Sequence, residues 1–140
     1  MSALIIHDVP IECINRAALM YQVPARLILA VLAIEGGRRG SAIQNKNGSV
    51  DYGPMQINSC WLPMLQTYGY TQQQIQYDPC INVQVGTWIL SKNIAQAATL
   101  WRGVGNYNSK KPNLNRRYQN KVAEVDRLLQ SYLSSSPTAS

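Results

Sequence analysis

The chain has 140 residues, a hydrophobic fraction of 46%, three cysteines and a formal net charge of +6. A chain of this size can build one hydrophobic core without a metal, so we expect a single domain over residues 1–133 and exclude two domains. No stretch approaches the roughly 20 apolar residues of a membrane span, and residues 134–140 have the composition of a disordered tail.

The first helix is predicted to begin at Asp8, which can act as its N-cap. Ile11, Ile14 and Leu19 then recur at helical spacing. His7 is the only histidine and precedes this helix in a segment that we expect to be loose. We therefore give His7 no catalytic role.

A second helix is predicted over residues 24–35, which are apolar on every side and are followed by Gly36. Its last residue, Glu35, should be removed from water and lies at the negative end of the helix dipole. Both effects raise the pKa of a carboxyl, so Glu35 can act as a general acid. The alternative is a helix-end glutamate paired with Arg38 or Arg39.

An Asn-Gly dipeptide at positions 47 and 48 predicts a two-residue hairpin turn between strands 42–44 and 50–57. The second strand carries Asp51 back toward the end of the helix that bears Glu35. Two carboxylates on opposite walls of a groove, one desolvated and one in a polar turn, form the arrangement that cleaves glycosidic bonds. The pair therefore predicts a glycosidase site.

The rest of the chain is predicted to be helical. Ser59 can cap a short helix and Thr71 another turn, and Asp78 followed by proline begins a longer helix. A turn and short helix follow at residues 101–109, and a last amphipathic helix covers about 114–132. We predict an α+β fold, mainly α, with a small antiparallel β-hairpin wing.

Four ordered motifs resemble the lysozyme-like superfamily. Asp-Tyr-Gly at residues 51–53 with Gln-Ile-Asn-Ser at 56–59 resembles the active-site hairpin of animal (c-type) lysozymes. Gly-Pro-Met-Gln-Ile at 53–57 resembles the Gly-Leu-Met-Gln-Ile motif of bacterial lytic transglycosylases. Gly-Asn-Tyr-Asn-Ser at 105–109 is similar to their Ala-Tyr-Asn-Ala-Gly motif, and Asp-Pro-Cys-Ile-Asn-Val at 78–83 to their Asp-Pro-x-x-Asn-Ile motif.

The resemblance implies a lysozyme-like fold and a lytic transglycosylase that cuts the β-1,4 bond between N-acetylmuramic acid and N-acetylglucosamine in peptidoglycan. It is nearest to the specialised enzymes that open the cell wall for type III and type IV secretion systems, conjugation machines and type IV pili. Glu35 and Asp51 are then the catalytic residues, with no cofactor and no metal, in a monomer located in the periplasm. Residues 1–6 lack the features of a signal peptide, so we expect the signal to have been removed from this sequence.

Six residues are candidate substrate contacts, because amides and phenols can bond and stack on N-acetyl sugars. They are Gln56, Asn58, Tyr107, Asn108, Tyr52 and Met55. Each has a structural alternative. The two amides of the hairpin could satisfy its backbone, Tyr107 could be a core residue whose hydroxyl bonds Glu35, and Tyr52 and Met55 could fill the core.

The chain also departs from the transglycosylase pattern. The family usually has serine where Gly36 stands, most transglycosylases lack an acid at the position of Asp51, and the small residues around Tyr107 are lost. The product is therefore open: attack by water would make the protein a hydrolytic lysozyme, and attack by the sugar's 6-hydroxyl would give a 1,6-anhydro end. A catalytically weak peptidoglycan-binding scaffold module is the alternative from another class.

Three cysteines are too few for a disulfide-built fold and lack metal-ligand spacing. The resemblance implies a disulfide between Cys13 and Cys80, which would indicate export. A Cys60–Cys80 pair is the rival, and three reduced thiols are the remaining alternative.

Positive charge is concentrated near the C-terminus, and the patch could attract an anionic polymer. Seven of the thirteen basic residues lie there: Arg102, Lys110, Lys111, Arg116, Arg117, Lys121 and Arg127. Peptidoglycan, with its peptide carboxylates, fits such a patch. Nucleic acid is the competing partner, but no recognisable binding motif accompanies the charge, so we expect no nucleic acid. Taken alone, a basic stripe most often means a solvated helix face.

Overall fold

The structure is a computed structural model that describes residues 4–135. Its helices pack against one another, and a small antiparallel sheet stands at one side. The predicted α+β class, mainly helical with a small β wing, is confirmed. The strands are β1 (Ile5–Ile6), β2 (Val9–Pro10), β3 (Ala42–Gln44), β4 (Val50–Tyr52) and β5 (Ile57–Asn58), and the helices are α1 (Ile11–Tyr21), α2 (Ala25–Glu35), α3 (Leu62–Thr67), α4 (Gln72–Tyr77), α5 (Pro79–Gln96), α6 (Leu100–Asn108) and α7 (Pro112–Ser135).

The N-terminal segment forms a two-stranded ribbon of β1 and β2, which the sequence analysis did not predict. Asp8 lies in its turn with a positive φ of 66° and does not cap α1, whose N-cap is Pro10. The carboxylate of Asp8 instead accepts hydrogen bonds from the Arg38 guanidinium and from the Arg39 backbone N–H. The predicted cap is therefore wrong, because the Asp8 carboxylate instead binds Arg38 and Arg39 in the segment that follows α2.

Helix α2 has the predicted extent and burial. Ile28, Val31 and Leu32 are fully buried, and the helix packs against α7 and α1. Gly36 ends it in the left-handed conformation, with φ at 66°, and its N–H bonds the Leu32 carbonyl. This ending places Glu35 at the last helical position.

The β wing has three strands in the order β3-β4-β5. The prediction of one strand over residues 50–57 is wrong, because Gly53 and Gln56 take positive φ values of 70° and 54° and break the extended backbone. The turn between β3 and β4 is also longer than two residues, since Asn45 and Ser49 are joined by a backbone hydrogen bond across it. Asp51 stays in the central strand.

Side-chain caps fix the starts of several helices. Thr71 and Asp78 cap α4 and α5 as predicted, Thr71 through a complete capping box. The short 3-10 turn over Ser59–Trp61 is capped by Asn58 and not, as expected, by Ser59. Helix α7 extends through Ser135, so the expected tail is helical at residues 134–135, and residues 136–140 lie outside the described residues.

The core has two parts that meet along α5. One joins α1, α2, α6 and α7, and the other joins α5 to the β wing and the short helices. Within residues 4–135, none of the helices combines the length and the hydropathy that crossing a membrane requires.

A disulfide joins Cys13 of α1 to Cys80 at the start of α5, the pair that the resemblance implied, with 5.4 Å between the Cα atoms. Cys60 is a free, exposed thiol. The bond closes a loop of 67 residues and restricts the unfolded chain. It ties α1 to α5 next to the larger part of the core.

Removing the disulfide should destabilise the protein. For a loop of this length we expect the variant Cys13→Ala/Cys80→Ala to lose about 4 kcal/mol in the free energy of unfolding, measured by urea denaturation. Cys60→Ala is the matched control and should unfold at the wild-type midpoint. Equal midpoints for the double variant and the oxidised wild type would contradict the prediction.

Candidate functional site

Glu35 is half-buried at the end of α2. Removal of its carboxyl from water raises its pKa from 4.5 to about 7, and the negative charge of Asp51 acts in the same direction. The hydroxyl of Tyr118 donates a hydrogen bond to Glu35 Oε2 at 2.5 Å, which lowers the pKa but does not outweigh the burial. Glu35 is therefore a carboxyl that carries its proton near neutral pH.

Asp51 lies in β4, where it is paired with Ile43 on one side and Asn58 on the other. The amide of Asn58 donates to Asp51 Oδ1 at 2.9 Å and to Ser49 Oγ at 3.0 Å. The same Asn58 side chain accepts the backbone N–H of Cys60 and so caps the next turn. Asp51 thus sits in a polar, hydrogen-bonded setting that contrasts with the setting of Glu35.

Both carboxyl groups line one open cleft with a volume of about 420 Å³. Most of its lining is polar, and Trp61 and Tyr107 add aromatic surface, which suits a ligand with many hydroxyl and amide groups. The side chains from the β wing and its turns are Asn45, Asn47, Ser49, Asp51, Gln56, Ile57 and Asn58, and those from the helical side are Glu35, Cys60, Trp61, Ile89, Asn106, Tyr107 and Asn108.

The tyrosine that bonds Glu35 is not the one that the sequence analysis named as an alternative. Tyr107 donates its hydroxyl to the Met55 carbonyl at 2.7 Å, whereas Tyr118 bonds Glu35. The two rings stack with their centroids 6.5 Å apart. Tyr118 lies in the predicted amphipathic helix over about 114–132 and was not named as a candidate. The sequence did carry a signal for this role. Tyr118 stands at a core-facing position of the helix, and a buried tyrosine hydroxyl needs a hydrogen-bond partner.

The candidate contacts differ in their exposure and in the hydrogen bonds that their side chains already make. Asn108 and Asn58 line the cleft, and Asn108 is exposed. The Asn58 amide already bonds Asp51, Ser49 and the Cys60 N–H, which fits the structural alternative considered for it. Gln56 also lines the cleft, but its amide donates to the Gly53 carbonyl at 2.9 Å and to Ser41, which is the structural alternative considered for it. Of the two remaining candidates, Tyr52 is 6% exposed and Met55 0%. Neither lines the cleft, so their burial fits the alternative in which they fill the core.

Two buried asparagines that the sequence analysis did not single out hold the cleft in shape. Asn82 of α5 accepts the Met55 N–H and donates to the Tyr52 and Ile75 carbonyls, and so fixes the turn between β4 and β5. Asn115 of α7 donates to Asn106 Oδ1 and to two backbone carbonyls at the ends of α6. Asn82 belongs to the Asp-Pro motif, and a buried amide is a sign of such a role.

The segment after Glu35 lies directly against the β wing. A Cβ added to Gly37 would come within 2.0 Å of the Gly53 carbonyl oxygen, so only glycine allows this approach. Gly36 has open space around it, but its φ of 66° disfavours a side chain. The two glycines bring the end of α2 to the wall that carries Asp51.

Within residues 4–135, no group of three or more His, Cys, Asp or Glu side chains is positioned to hold a metal ion.

Comparison with known proteins identifies the family. The family described as "Transglycosylase SLT domain" matches residues 12–129. The chain is 35% identical over 123 residues to the Invasion protein IagB of Salmonella typhimurium, covering 84% of this chain and 77% of that protein. It is 33% identical over 99 residues to Protein IpgF of Shigella flexneri, covering 70% and 65%. It is also 32% identical over 105 residues to a "Peptidoglycan-binding-like protein" of Escherichia coli O157:H7, covering 69% and 63%.

The match spans both carboxyl groups, the cleft between them and the two asparagines that shape it. The chain therefore belongs to the transglycosylase SLT domain family.

Proposed function

We propose that the protein is a lytic transglycosylase that cuts the β-1,4 bond between N-acetylmuramic acid and N-acetylglucosamine in peptidoglycan. The main support is Glu35, a half-buried carboxyl with a pKa of about 7 that lines the same polar cleft as Asp51. Membership of the family supports the same reaction.

In the first step, Glu35 transfers its proton to the oxygen that links the two sugars. The bond between that oxygen and the anomeric carbon breaks, its electron pair stays on the oxygen, and the N-acetylglucosamine side leaves as an alcohol. Because Glu35 Oε2 accepts the Tyr118 hydrogen bond, the proton to be transferred belongs on Oε1. Asp51 stabilises the positive charge that develops on the remaining sugar or bonds to its anomeric carbon.

In the second step, the Glu35 carboxylate acts as a base. It removes the proton of the 6-hydroxyl of the N-acetylmuramic acid, whose oxygen then attacks the anomeric carbon and closes a 1,6-anhydro ring. Where Asp51 has bonded to that carbon, this attack breaks the bond and releases Asp51 as a carboxylate. Water in the same position would give a reducing end and a hydrolytic lysozyme. The family favours the anhydro product.

Four polar residues of the lining are our proposed substrate contacts. Asn108 presents an exposed side-chain amide to the cleft, and Tyr107 presents its ring, since its hydroxyl donates to the Met55 carbonyl. Asn58 contributes through its amide oxygen, because its amide nitrogen already donates to Asp51 and Ser49. Gln56 contributes through its amide oxygen, because its amide nitrogen donates to the Gly53 carbonyl and to Ser41 Oγ. The N-acetyl and hydroxyl groups of the sugars match these donors and acceptors.

We also propose that the protein works in the periplasm, as a monomer, where it opens the wall for a secretion, conjugation or pilus machine. The disulfide supports an oxidising compartment. A relative is named as an invasion protein and another as peptidoglycan-binding-like. Glycan strands of peptidoglycan are the proposed partner.

The alternative is a catalytically weak peptidoglycan-binding module, which Gly36 in place of the usual serine and the name of one relative favour. Incubation with purified peptidoglycan, followed by mass analysis of the released muropeptides, distinguishes the possibilities. Anhydro ends support the proposal. Reducing ends make the protein a hydrolase, and binding without soluble fragments makes it a scaffold.

Tyr118→Phe should move the pH dependence of cleavage. The reaction needs protonated Glu35, so activity falls as the pH rises through the pKa of that group. Because the Tyr118 hydrogen bond lowers this pKa, its removal should shift the descending limb of kcat/KM to higher pH. Tyr107→Phe is the matched control. The Tyr107 hydroxyl bonds Met55 and not Glu35, so the descending limb of kcat/KM should stay at the wild-type pH even if the size of kcat/KM changes. A limb that stays in place, or moves to lower pH, in Tyr118→Phe would contradict the assignment.

A further inference from the structure

A second pocket of about 270 Å³ lies beside the cleft, between the end of α2 and helix α7. Glu35 and Asn108 line both spaces. Because the two spaces share these residues, a ligand bound in the cleft at Glu35 can extend directly into this pocket. We call it the α7 pocket.

The α7 pocket carries positive charge on one wall. Arg117 and Lys121 line it and are four residues apart on α7, so their side chains lie on the same face of the helix. Neither forms an ion pair within the part of the chain that the structure describes. Asp126, an acid on the same helix, is occupied by Arg26 at 2.8 Å. The two cations are thus available to an anionic ligand.

The rest of the pocket brings no opposing charge when Glu35 is protonated. Ile34 and Leu114 add apolar surface, and Leu114 is 40% exposed. The lining therefore combines two cations and two aliphatic groups with the Asn108 amide and Tyr118, next to the proposed proton donor. This combination suits a short peptide with carboxylates and small apolar side chains better than it suits a neutral sugar.

We propose that Arg117 and Lys121 bind a carboxylate of the peptide that N-acetylmuramic acid carries, so that the preferred substrate is a glycan strand that still bears its peptides. This inference rests on the proposed function and adds to it a peptide subsite at the α7 pocket. The sugars occupy the cleft, and the peptide leaves it at Glu35 and Asn108 toward α7. A strand stripped of its peptides would fill the cleft alone.

The test measures binding with Glu35→Gln as the parent, which should bind glycan without cutting it. The probes are soluble glycan chains of equal length, with their peptides and after removal of the peptides by an amidase. We expect the parent to bind the peptide-bearing chains roughly tenfold more tightly, with the difference shrinking at high salt because screening weakens exposed charge pairs. Adding Arg117→Gln/Lys121→Gln should abolish the preference and leave the affinity for stripped chains unchanged.

The matched control is Arg116→Gln/Arg127→Gln, which removes the same charge from exposed positions of α7 that do not line the pocket. It should keep the preference. Equal binding of the two glycans by the parent, or a preference that survives Arg117→Gln/Lys121→Gln, overturns the peptide subsite and leaves the proposed function intact. Failure of the parent to bind either glycan contradicts the proposed function as well.

Discussion

Glu35→Gln should abolish the release of muropeptides from peptidoglycan. General acid–base catalysis contributes about 10²–10⁴ in rate, and Glu35 serves in both steps of the proposed reaction, so we expect a loss of at least about 10³ in kcat. Glutamine has nearly the same shape and keeps an oxygen for the Tyr118 hydrogen bond, so the fold should persist. The measurement is the rate at which soluble muropeptides appear, followed by mass analysis.

Glu124→Gln is the control for this substitution. It makes the same change of charge at an exposed position of α7 that does not line the cleft. The control should release muropeptides at close to the wild-type rate. If Glu35→Gln did the same, Glu35 would not be the proton donor and the proposed mechanism would fall.

Glu35→Gln should also differ from wild type in how its free energy of unfolding depends on pH. The pKa of Glu35 is higher in the folded protein than in the unfolded chain, so ionisation favours unfolding as the pH rises from near 4.5 through about 7. Glutamine has no such group. Urea denaturation should therefore show Glu35→Gln gaining stability relative to wild type at pH 8, with the difference absent at pH 4.

Asp51→Asn is the second substitution with a large expected effect. In the proposed reaction, it removes the negative charge that stabilises the developing positive charge on the sugar, and groups that stabilise a transition state electrostatically contribute about 10²–10³ in rate. We expect a loss of that size in kcat with an unchanged fold, because asparagine can still bond Asn58. The pKa of Glu35 should also fall, since the Asp51 charge raises it.

Asp126→Asn provides the contrast. It breaks the ion pair with Arg26, which lies outside the cleft, so it should lower stability slightly and leave muropeptide release unchanged. If Asp51→Asn kept the wild-type rate, Asp51 would have no part in the reaction. The protein would then be an ordinary transglycosylase with a single catalytic carboxyl.

Features set by local sequence could be predicted from the sequence. The apolar run before Glu35 and the glycine after it define α2, and Thr71 and Asp78 cap the helices that follow them. Each depends on a helix end or a periodicity that a few neighbouring residues determine. The placement of Glu35 at a helix end follows from these local signals.

Features set by distant contacts could not be predicted in this way. Asp8 reads as a helix cap, yet Arg38, 30 residues away, engages it. The strand break at residues 53–56 depends on Asn82 of α5, which holds that turn from 27 to 30 residues away. Tyr118 reaches Glu35 across 83 residues. Periodicity shows that such side chains face inward but does not say which partner they meet.

The carboxyl pKa of Glu35 tests the central claim most directly. A ¹³C NMR titration of the glutamate carboxyls, with Glu35→Gln used to assign the signal, should give a midpoint near 7 for Glu35. Such a midpoint would mean that a large share of the Glu35 carboxyls is protonated at neutral pH, as a general acid requires. A midpoint near the ordinary 4.5 would mean that Glu35 is ionised there, and it would contradict the assignment of Glu35 as the general acid.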